Sequence, residues 1–134
     1  MDNSLAGGNN KRILVVDDDK AIRDILSDVL SCMGFTIAVA RSGNEGLDLF
    51  LEDPFDLVVT DLRMPGMDGW DLAFHVKGRA PDTPVVLITG QQKEEVMASA
   101  KGDRVDFVMF KPFRLKEMQK TVYRMLGAHS SGMR

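Results

Sequence analysis

The stretch that decides the fold is KRILVVDDD, residues 11–19. Its apolar run is rich in β-branched residues, has the length of one strand and stops at three aspartates. Residues 20–33 then carry apolar side chains at helical spacing, and Gly34 is a typical helix stop. An apolar strand that ends in polar residues and leads into an amphipathic helix is therefore the unit to look for along the chain.

The same unit occurs five times in all. The predicted strands are residues 11–16, 35–40, 56–60, 84–88 and 104–110, and the predicted helices lie at 20–33, after Ser42, near 69–78, near 92–100 and near 114–126. Nearly continuous apolar strands that alternate with helices are typical of a parallel sheet covered on both faces. Right-handed crossovers then predict an α/β fold, a three-layer sandwich around a five-stranded parallel sheet.

The second helix has a start signal of its own. Ser42 and Glu45 have the spacing of a capping box, in which each side chain accepts a hydrogen bond from the main chain of the other residue. We expect the helix to begin there and to bury Leu47, Phe50 and Leu51.

Composition bounds the domain organisation. The 134 residues suffice for one domain with a core, and 44% hydrophobic with 28% charged residues is typical of soluble globular chains. Both ends are rich in small and polar residues. We expect a flexible N-terminus at 1–10, the folded domain at 11–127 and a flexible C-terminal tail at 128–134.

Several partner classes are disfavoured by charge and patterning. A net charge of −3 without a concentrated basic face argues against nucleic acid as a partner. No uninterrupted apolar run exceeds four residues, so no membrane-spanning segment is expected. Cys32 is the single cysteine, which excludes an internal disulfide and suggests a cytoplasmic location. Its position among apolar helix residues predicts a small core side chain.

The chemistry gathers where the strands end. Four of the five predicted strands are followed by polar or charged side chains, which are Asp17 with its two following aspartates, Asp61, Thr89 and Lys111. In open α/β sheets the carboxyl ends of the strands form the edge that binds ligands. Asp19 directly precedes a helix, so its expected role is that of an N-cap.

Aspartates that converge at one edge repel each other, so a positive group must lie among them. Mg²⁺ prefers such hard oxygen ligands, and Lys111 offers an ammonium group. A divalent ion, a lysine, a hydroxyl and a further carboxylate together form a phosphoryl-transfer site. In such a site a carboxylate attacks phosphorus, Thr89 donates to a phosphoryl oxygen, and the small Gly90 leaves room for the incoming group.

Four blocks of the chain resemble the receiver domains of response regulators, the CheY-like family, over roughly residues 11–127. The blocks are LVVDDD at 14–19, TDLRMPGMDG at 60–69, ITG at 88–90 and KPF at 111–113. The resemblance implies a flavodoxin-like (βα)5 fold with strand order 2-1-3-4-5. It also implies a phosphoacceptor switch of a two-component phosphorelay, which catalyses its own phosphorylation and dephosphorylation and is not a metabolic enzyme.

The resemblance assigns roles to single residues. Asp61 is similar to the phosphoacceptor, Thr89 to the switch hydroxyl and Lys111 to the lysine that pairs with the phosphoryl group. A cis peptide bond between Lys111 and Pro112 is also implied. The donor would be a sensor histidine kinase or a histidine phosphotransfer protein. The signal would pass to a protein target that binds the surface formed by the fourth and fifth helices and the fifth strand.

The resemblance also implies a metal site. Asp17, Asp18, Asp61 and the backbone carbonyl of Arg63 are similar to the family's Mg²⁺ ligands, with Mn²⁺ as an alternative ion. Asp18 would be the more direct ligand and Asp17 would act through water. No organic cofactor is expected.

Two positions depart from the family pattern or modulate it. Many receivers carry Tyr or Phe three residues before the lysine, where this chain has Val108, so we expect coupling to run mainly through Thr89 and the following loop and helix. Arg63 lies two residues beyond Asp61 and is expected to shield the acyl phosphate from water, which predicts a long-lived phosphoryl group.

At least one of Trp70 and Phe74 is expected to pack in the core.

Two other function classes remain open from the residues alone. A phospho-aspartyl phosphatase needs a second acid two residues after its nucleophile, as Asp19 follows Asp17, but also a cap insertion for which no segment is long enough. A nucleotide or flavin binder needs a Gly-rich loop after the first strand, where this chain has Asp-Asp-Asp-Lys.

Overall fold

The computed structural model of the protein describes residues 11–99 and 105–131, with side chains described up to residue 127. Its strands are β1 Arg12–Val16, β2 Thr36–Ala40, β3 Leu57–Asp61, β4 Val85–Thr89 and β5 Phe107–Phe110. Its helices are α1 Lys20–Cys32, α2 Gly43–Glu52, α3 Gly69–Arg79, α4 Lys93–Ser99 and α5 Leu115–Ser131. Among the described helices, none combines the length and apolar character needed to cross a membrane.

The five strands form one parallel sheet in the order β2-β1-β3-β4-β5. β1 lies between β2 and β3, so its main chain is hydrogen-bonded on both sides, and Ile13 is in register with both Ile37 and Leu57. The predicted α/β fold and the strand order implied by the resemblance are both confirmed. The carboxyl ends of the three central strands, β1, β3 and β4, therefore lie side by side.

Alternate residues of the strands point into two separate core layers. Ile13 and Val15 of β1 pack with apolar residues of α1 and α5, whereas Leu14 and Val16 pack with those of α2 and α3. All four side chains are fully buried, and burial of one such side chain contributes about 1.5–3 kcal/mol. A strand whose two faces are both buried must be apolar at every position, which explains the unbroken apolar runs of the sequence.

Local polar groups fix where the helices begin. Asp19 is the N-cap of α1 and its side chain accepts from the main-chain N–H of Ala21 at 2.9 Å, as predicted. Ser42 caps α2 and accepts from the N–H of Glu45 at 3.1 Å. The carboxylate of Glu45, however, accepts from the N–H of Arg41, so only half of the predicted capping box forms.

Two residues predicted to be buried are exposed. Leu51 is 42% exposed, and Cys32 is exposed as well. Leu51 lies about 100° around α2 from the fully buried Phe50, on the side away from the buried residues Gly43 and Gly46. Cys32 lies two residues beyond the buried Leu30, about 200° around α1. Both predictions were wrong because each residue lies outside the buried stripe of its helix.

The last helix is longer than predicted. α5 continues to Ser131, whereas the sequence predicted a helix near 114–126. The division into a domain at 11–127 and a tail at 128–134 stays a prediction. The predicted flexible segment at 1–10 lies outside the described residues, as do the first residue of the strand predicted at 104–110 and the last of the helix predicted near 92–100.

Candidate functional site

The structure brings three carboxylates together at the carboxyl edge of the sheet. One carboxylate oxygen from each of Asp17, Asp18 and Asp61 lies within 4.8 Å of the other two. Asp17 follows β1 and is fully buried, Asp61 is the last residue of β3 and is 7% exposed, and Asp18 is exposed. Two buried acids and one that faces solvent therefore lie together at one edge of the sheet, as predicted from the residues that end the strands.

Asp17 is held tightly and yet keeps one oxygen free of hydrogen bonds. Its N–H donates to the carbonyl of Ala40 at 3.1 Å, and its Oδ1 accepts from the N–H of Asp19 at 2.9 Å. Its Oδ2 is buried and has no hydrogen-bond partner in the described part of the chain. Buried carboxylate oxygens are normally satisfied, so this one fits a ligand that the protein itself does not supply.

Lys111 brings a positive charge to the acids. Its Nζ lies 3.4 Å from Oδ1 of Asp61 and 3.8 Å from Oδ2 of Asp17. Its N–H donates to the carbonyl of Thr89 at 2.7 Å, which ties the end of β5 to the end of β4. The Lys111–Pro112 peptide bond is cis, as the resemblance implied.

One lysine does not offset the cost of burying these acids. The pKa of Asp17 is raised to about 6, chiefly by burial. The increase caused by the nearby charge of Asp61 is larger than the decrease caused by Lys111. Burial also raises the pKa of Asp61, against the opposing effect of the Lys111 ammonium group. The set of donors, three carboxylates with one unsatisfied buried oxygen, therefore fits a hard divalent cation such as Mg²⁺.

Thr89 and Gly90 lie beside the acids at the end of β4. Thr89 is 1% exposed, and its Oγ1 accepts from the N–H of Gln91 at 3.0 Å, which leaves the hydroxyl hydrogen available for donation. A Cβ added to Gly90 would meet no protein atom within 4 Å, so the packing of the protein does not itself require glycine there. That Gly90 leaves room for an incoming group stays a prediction.

The loop after β3 is held by a glycine that sequence reasoning did not single out. The N–H of Gly69 donates to the carbonyl of Leu62 at 2.9 Å, and a Cβ at Gly69 would lie 2.6 Å from the carbonyl oxygen of Asp61. Only glycine permits this close approach of α3 to the end of β3. Arg63 lies within this loop and is exposed, so its predicted role in shielding the site stays a prediction.

Val108, which takes the place of the aromatic residue found in many receivers, packs against a small apolar cluster. Val108 is half-buried and packs against a cluster that includes Trp70 of α3 and Val96 of α4. Trp70 is 5% exposed, and its indole N–H donates to Oγ of Ser99 at 3.1 Å, near the end of α4. Trp70 thus confirms the expected core packing, whereas Phe74 is 53% exposed. Trp70, an aromatic residue of α3, thus contacts the end of α4.

Arg23 also reaches the site, although the sequence contained no specific signal for it. Its Nη1 donates to the main-chain carbonyl oxygen of Asp17 at 2.7 Å, from the first turns of α1. An arginine in an amphipathic helix usually faces solvent, so its contact with the end of β1 became visible only in three dimensions.

Known proteins share both the sequence and this architecture. Residues 13–123 match the family model of the response regulator receiver domain. The response regulator MprA of Mycolicibacterium vanbaalenii is 36% identical over 107 residues, which are 80% of this chain and 46% of the relative. The chain therefore spans about half the length of the curated relatives it matches.

Solved structures agree with this match. The response regulator TrrA of Thermotoga maritima, in complex with Mg²⁺ and BeF, is 32% identical with a TM-score of 0.79, over 87% of this chain and 99% of that chain. The receiver domain of a signal transduction histidine kinase from Syntrophus aciditrophicus is 28% identical with a TM-score of 0.80, over 88% and 91% of the two chains. With the family model covering most of its length and with this fold, the chain belongs to the response regulator receiver domain family.

Proposed function

We propose that Asp61 accepts a phosphoryl group from a histidine kinase or a histidine phosphotransfer protein, with a divalent cation bound at the adjacent acids. Phosphorylation-dependent switching in two-component signalling is the general function of the family, so the proposal concerns the residues and the partners. The observation that carries it is the position of Asp61, a nearly buried carboxylate at the end of β3 whose Oδ1 lies 3.4 Å from the Lys111 ammonium group.

The chemistry follows from a carboxylate next to a fixed positive charge. An oxygen of Asp61 attacks the phosphorus of a phosphohistidine, so that a P–O bond forms while the P–N bond breaks. The imidazole leaves with the electron pair of that bond and takes up a proton from water. Lys111 neutralises charge on the transferred phosphoryl oxygens, and the Thr89 hydroxyl donates to one of them. The protein therefore catalyses the modification of its own side chain.

The cation would be held by this chain's oxygen atoms. Asp17, Asp18, Asp61 and the backbone carbonyl of Arg63 are the proposed ligands for Mg²⁺, or for Mn²⁺, which accepts the same hard donors. The bound ion would supply further neutralisation of negative charge at the phosphoryl group. The unsatisfied Oδ2 of Asp17 supports this assignment.

The proposed output is a change of the surface formed by α4, β5 and α5. Thr89 is hydrogen-bonded to Gln91, which begins the loop into α4, so a Thr89 hydroxyl drawn towards a phosphoryl group pulls on that loop. A protein target would bind the changed surface. We also propose a cytoplasmic location. Arg63 would shield the acyl phosphate from water, so the phosphoryl group would be lost slowly. The family match favours this proposal over the phosphatase and the nucleotide-binder hypotheses.

Beryllofluoride, which mimics an acyl phosphate, tests the proposal with the single tryptophan as a reporter. In the presence of Mg²⁺, titration should change the fluorescence of Trp70, because its indole contacts α4. Asp61→Asn should show no change, since the complex needs a carboxylate oxygen. No response in the wild type, or an equal response in the variant, would contradict the proposal.

Removal of the Ser99 hydroxyl is expected to favour the phosphorylated state. The Trp70–Ser99 hydrogen bond attaches the end of α4 to α3 in the unphosphorylated protein, and its loss lowers the cost of moving α4. A bond worth about 1 kcal/mol corresponds to roughly fivefold tighter beryllofluoride binding by Ser99→Ala, measured by calorimetry at saturating Mg²⁺. Met97→Ala, on the exposed face of α4, is the control. Unchanged or weaker binding by Ser99→Ala would show that this contact does not oppose switching.

A further inference from the structure

Arg23 makes a contact that the phosphoryl-transfer reaction does not use. It lies in α1, and its guanidinium Nη1 donates to the carbonyl oxygen of Asp17 at 2.7 Å in a partly buried position. The other basic residue at the start of this helix, Lys20, points away and pairs with Asp24 at 2.7 Å, where both side chains are mostly exposed. Two cations at the start of one helix therefore have different environments, and only Arg23 contacts the acidic site.

The contact completes a set of three hydrogen bonds around Asp17. The N–H of Asp17 donates to Ala40 of β2, and its Oδ1 accepts from Asp19 at the cap of α1. The carbonyl accepts from Arg23. Two elements, β2 and α1 with its N-cap, thus hold both ends of the residue and one of its carboxylate oxygens. The remaining polar atom is Oδ2, which is buried and without a hydrogen-bond partner among the described residues.

Among the described residues, Arg23 is the donor found for the carbonyl of Asp17. β1 ends at Val16, so the carbonyl of Asp17 lies beyond the last residue that pairs in the sheet. A buried carbonyl without a donor is costly, and the turn from 17 to 19 would rearrange to satisfy it. Because the side chain of Asp17 extends from this turn, such a rearrangement would move Oδ2 away from the other two carboxylates.

We propose that Arg23 is a positioning residue for the cation site, which holds the main chain of Asp17 so that Oδ2 faces the space between the three carboxylates. The proposal rests on the proposed function, since it concerns the same cation. Arg23 does not touch the phosphoryl group. Its loss should therefore weaken the binding of the cation and leave the chemistry of the loaded site largely intact.

Calorimetric titration with Mg²⁺ tests this role. Residues that orient metal ligands typically change affinity by 10- to 100-fold, so we expect Arg23→Ala to weaken Mg²⁺ binding by roughly tenfold or more. Lys20→Ala removes the same charge from the same end of α1 and should change the affinity by less than about twofold, because its ion pair is exposed. Arg23→Lys retains a donor and should recover part of the loss. If Arg23→Ala does not fold, the Mg²⁺ affinity of Arg23→Lys is compared with that of the wild type instead.

A second measurement separates positioning from a general structural role. With phosphoramidate as donor, the Mg²⁺ concentration for half-maximal phosphorylation of Arg23→Ala should rise with its dissociation constant, while the rate at saturating Mg²⁺ stays within a few-fold of the wild type. Equal Mg²⁺ affinities of Arg23→Ala and wild type, or equal losses in Arg23→Ala and Lys20→Ala, would overturn the proposal. Absence of Mg²⁺ binding by the wild type would instead overturn the proposed cation site.

Discussion

Replacement of Asp61 by asparagine is expected to abolish phosphorylation by a small phosphoamidate donor. The amide has nearly the shape of the carboxylate, and its oxygen still accepts from Lys111, but it lacks the anionic oxygen that attacks phosphorus. Loss of a nucleophile in covalent catalysis costs several orders of magnitude, so the rate should fall at least ~10³-fold. Phosphate incorporation, followed by intact mass with Mg²⁺ and phosphoramidate, is the measurement.

An exposed aspartate provides the matched control for this substitution. Asp48→Asn makes the same chemical change on the surface of α2, far from the acids in sequence, and should incorporate phosphate at the wild-type rate. Phosphate on the Asp61→Asn protein at an undiminished rate would mean that another residue is the acceptor. Peptide mapping of the modified chain would then identify it.

The metal-free protein is expected to lose stability as the pH rises from about 4 to about 6. Asp17 has a pKa of about 6 in the folded state, against an ordinary value of 3.8 in the unfolded chain, because burial and the charges of its acidic neighbours disfavour its anion. Between these two values the folded state binds more protons than the unfolded state, so the free energy of unfolding decreases with rising pH. The raised pKa of Asp61 acts in the same direction.

The expected loss is on the order of 3 kcal/mol, reached by pH 7, since the pKa rises from 3.8 to about 6 and one pKa unit corresponds to about 1.4 kcal/mol. Denaturant unfolding in EDTA across this pH range measures it. Asp17→Asn should flatten the dependence and be more stable than the wild type at pH 7 without metal. Mg²⁺ should stabilise the wild type at pH 7 and have much less effect on Asp17→Asn. A wild-type stability that rises from pH 4 to 7 in EDTA would contradict this account of the site.

The buried acids destabilise the protein when no cation is bound. The same burial that raises the pKa values of Asp17 and Asp61 also strengthens their attraction for a divalent ion and for Lys111. A site that binds charge well when loaded is therefore destabilising when empty. Asp61→Asn should share the stabilisation of Asp17→Asn while losing phosphorylation, which links the two predictions through one cause.

The sequence by itself determined the fold class and the cluster of site residues. Its signals are local: unbroken apolar runs predict strands buried on both faces, and the polar residues that end those runs lie at one edge of any parallel sheet. Asp17, Asp61, Thr89 and Lys111 could therefore be placed together without coordinates. The order of the strands could not be obtained from periodicity, and it was implied by the resemblance alone.

Only the tertiary structure decided which side chains meet across elements. The Arg23 contact with Asp17, the Trp70 contact with Ser99 and the approach of Gly69 to Asp61 join residues whose relation depends on how helices pack on the sheet. The exposure of Leu51 and of Cys32 was decided in the same way, by the rotation of each helix about its axis. Periodicity shows that a helix has an apolar face, but packing against neighbouring elements sets the edges of that face and the partners of the polar groups beside it.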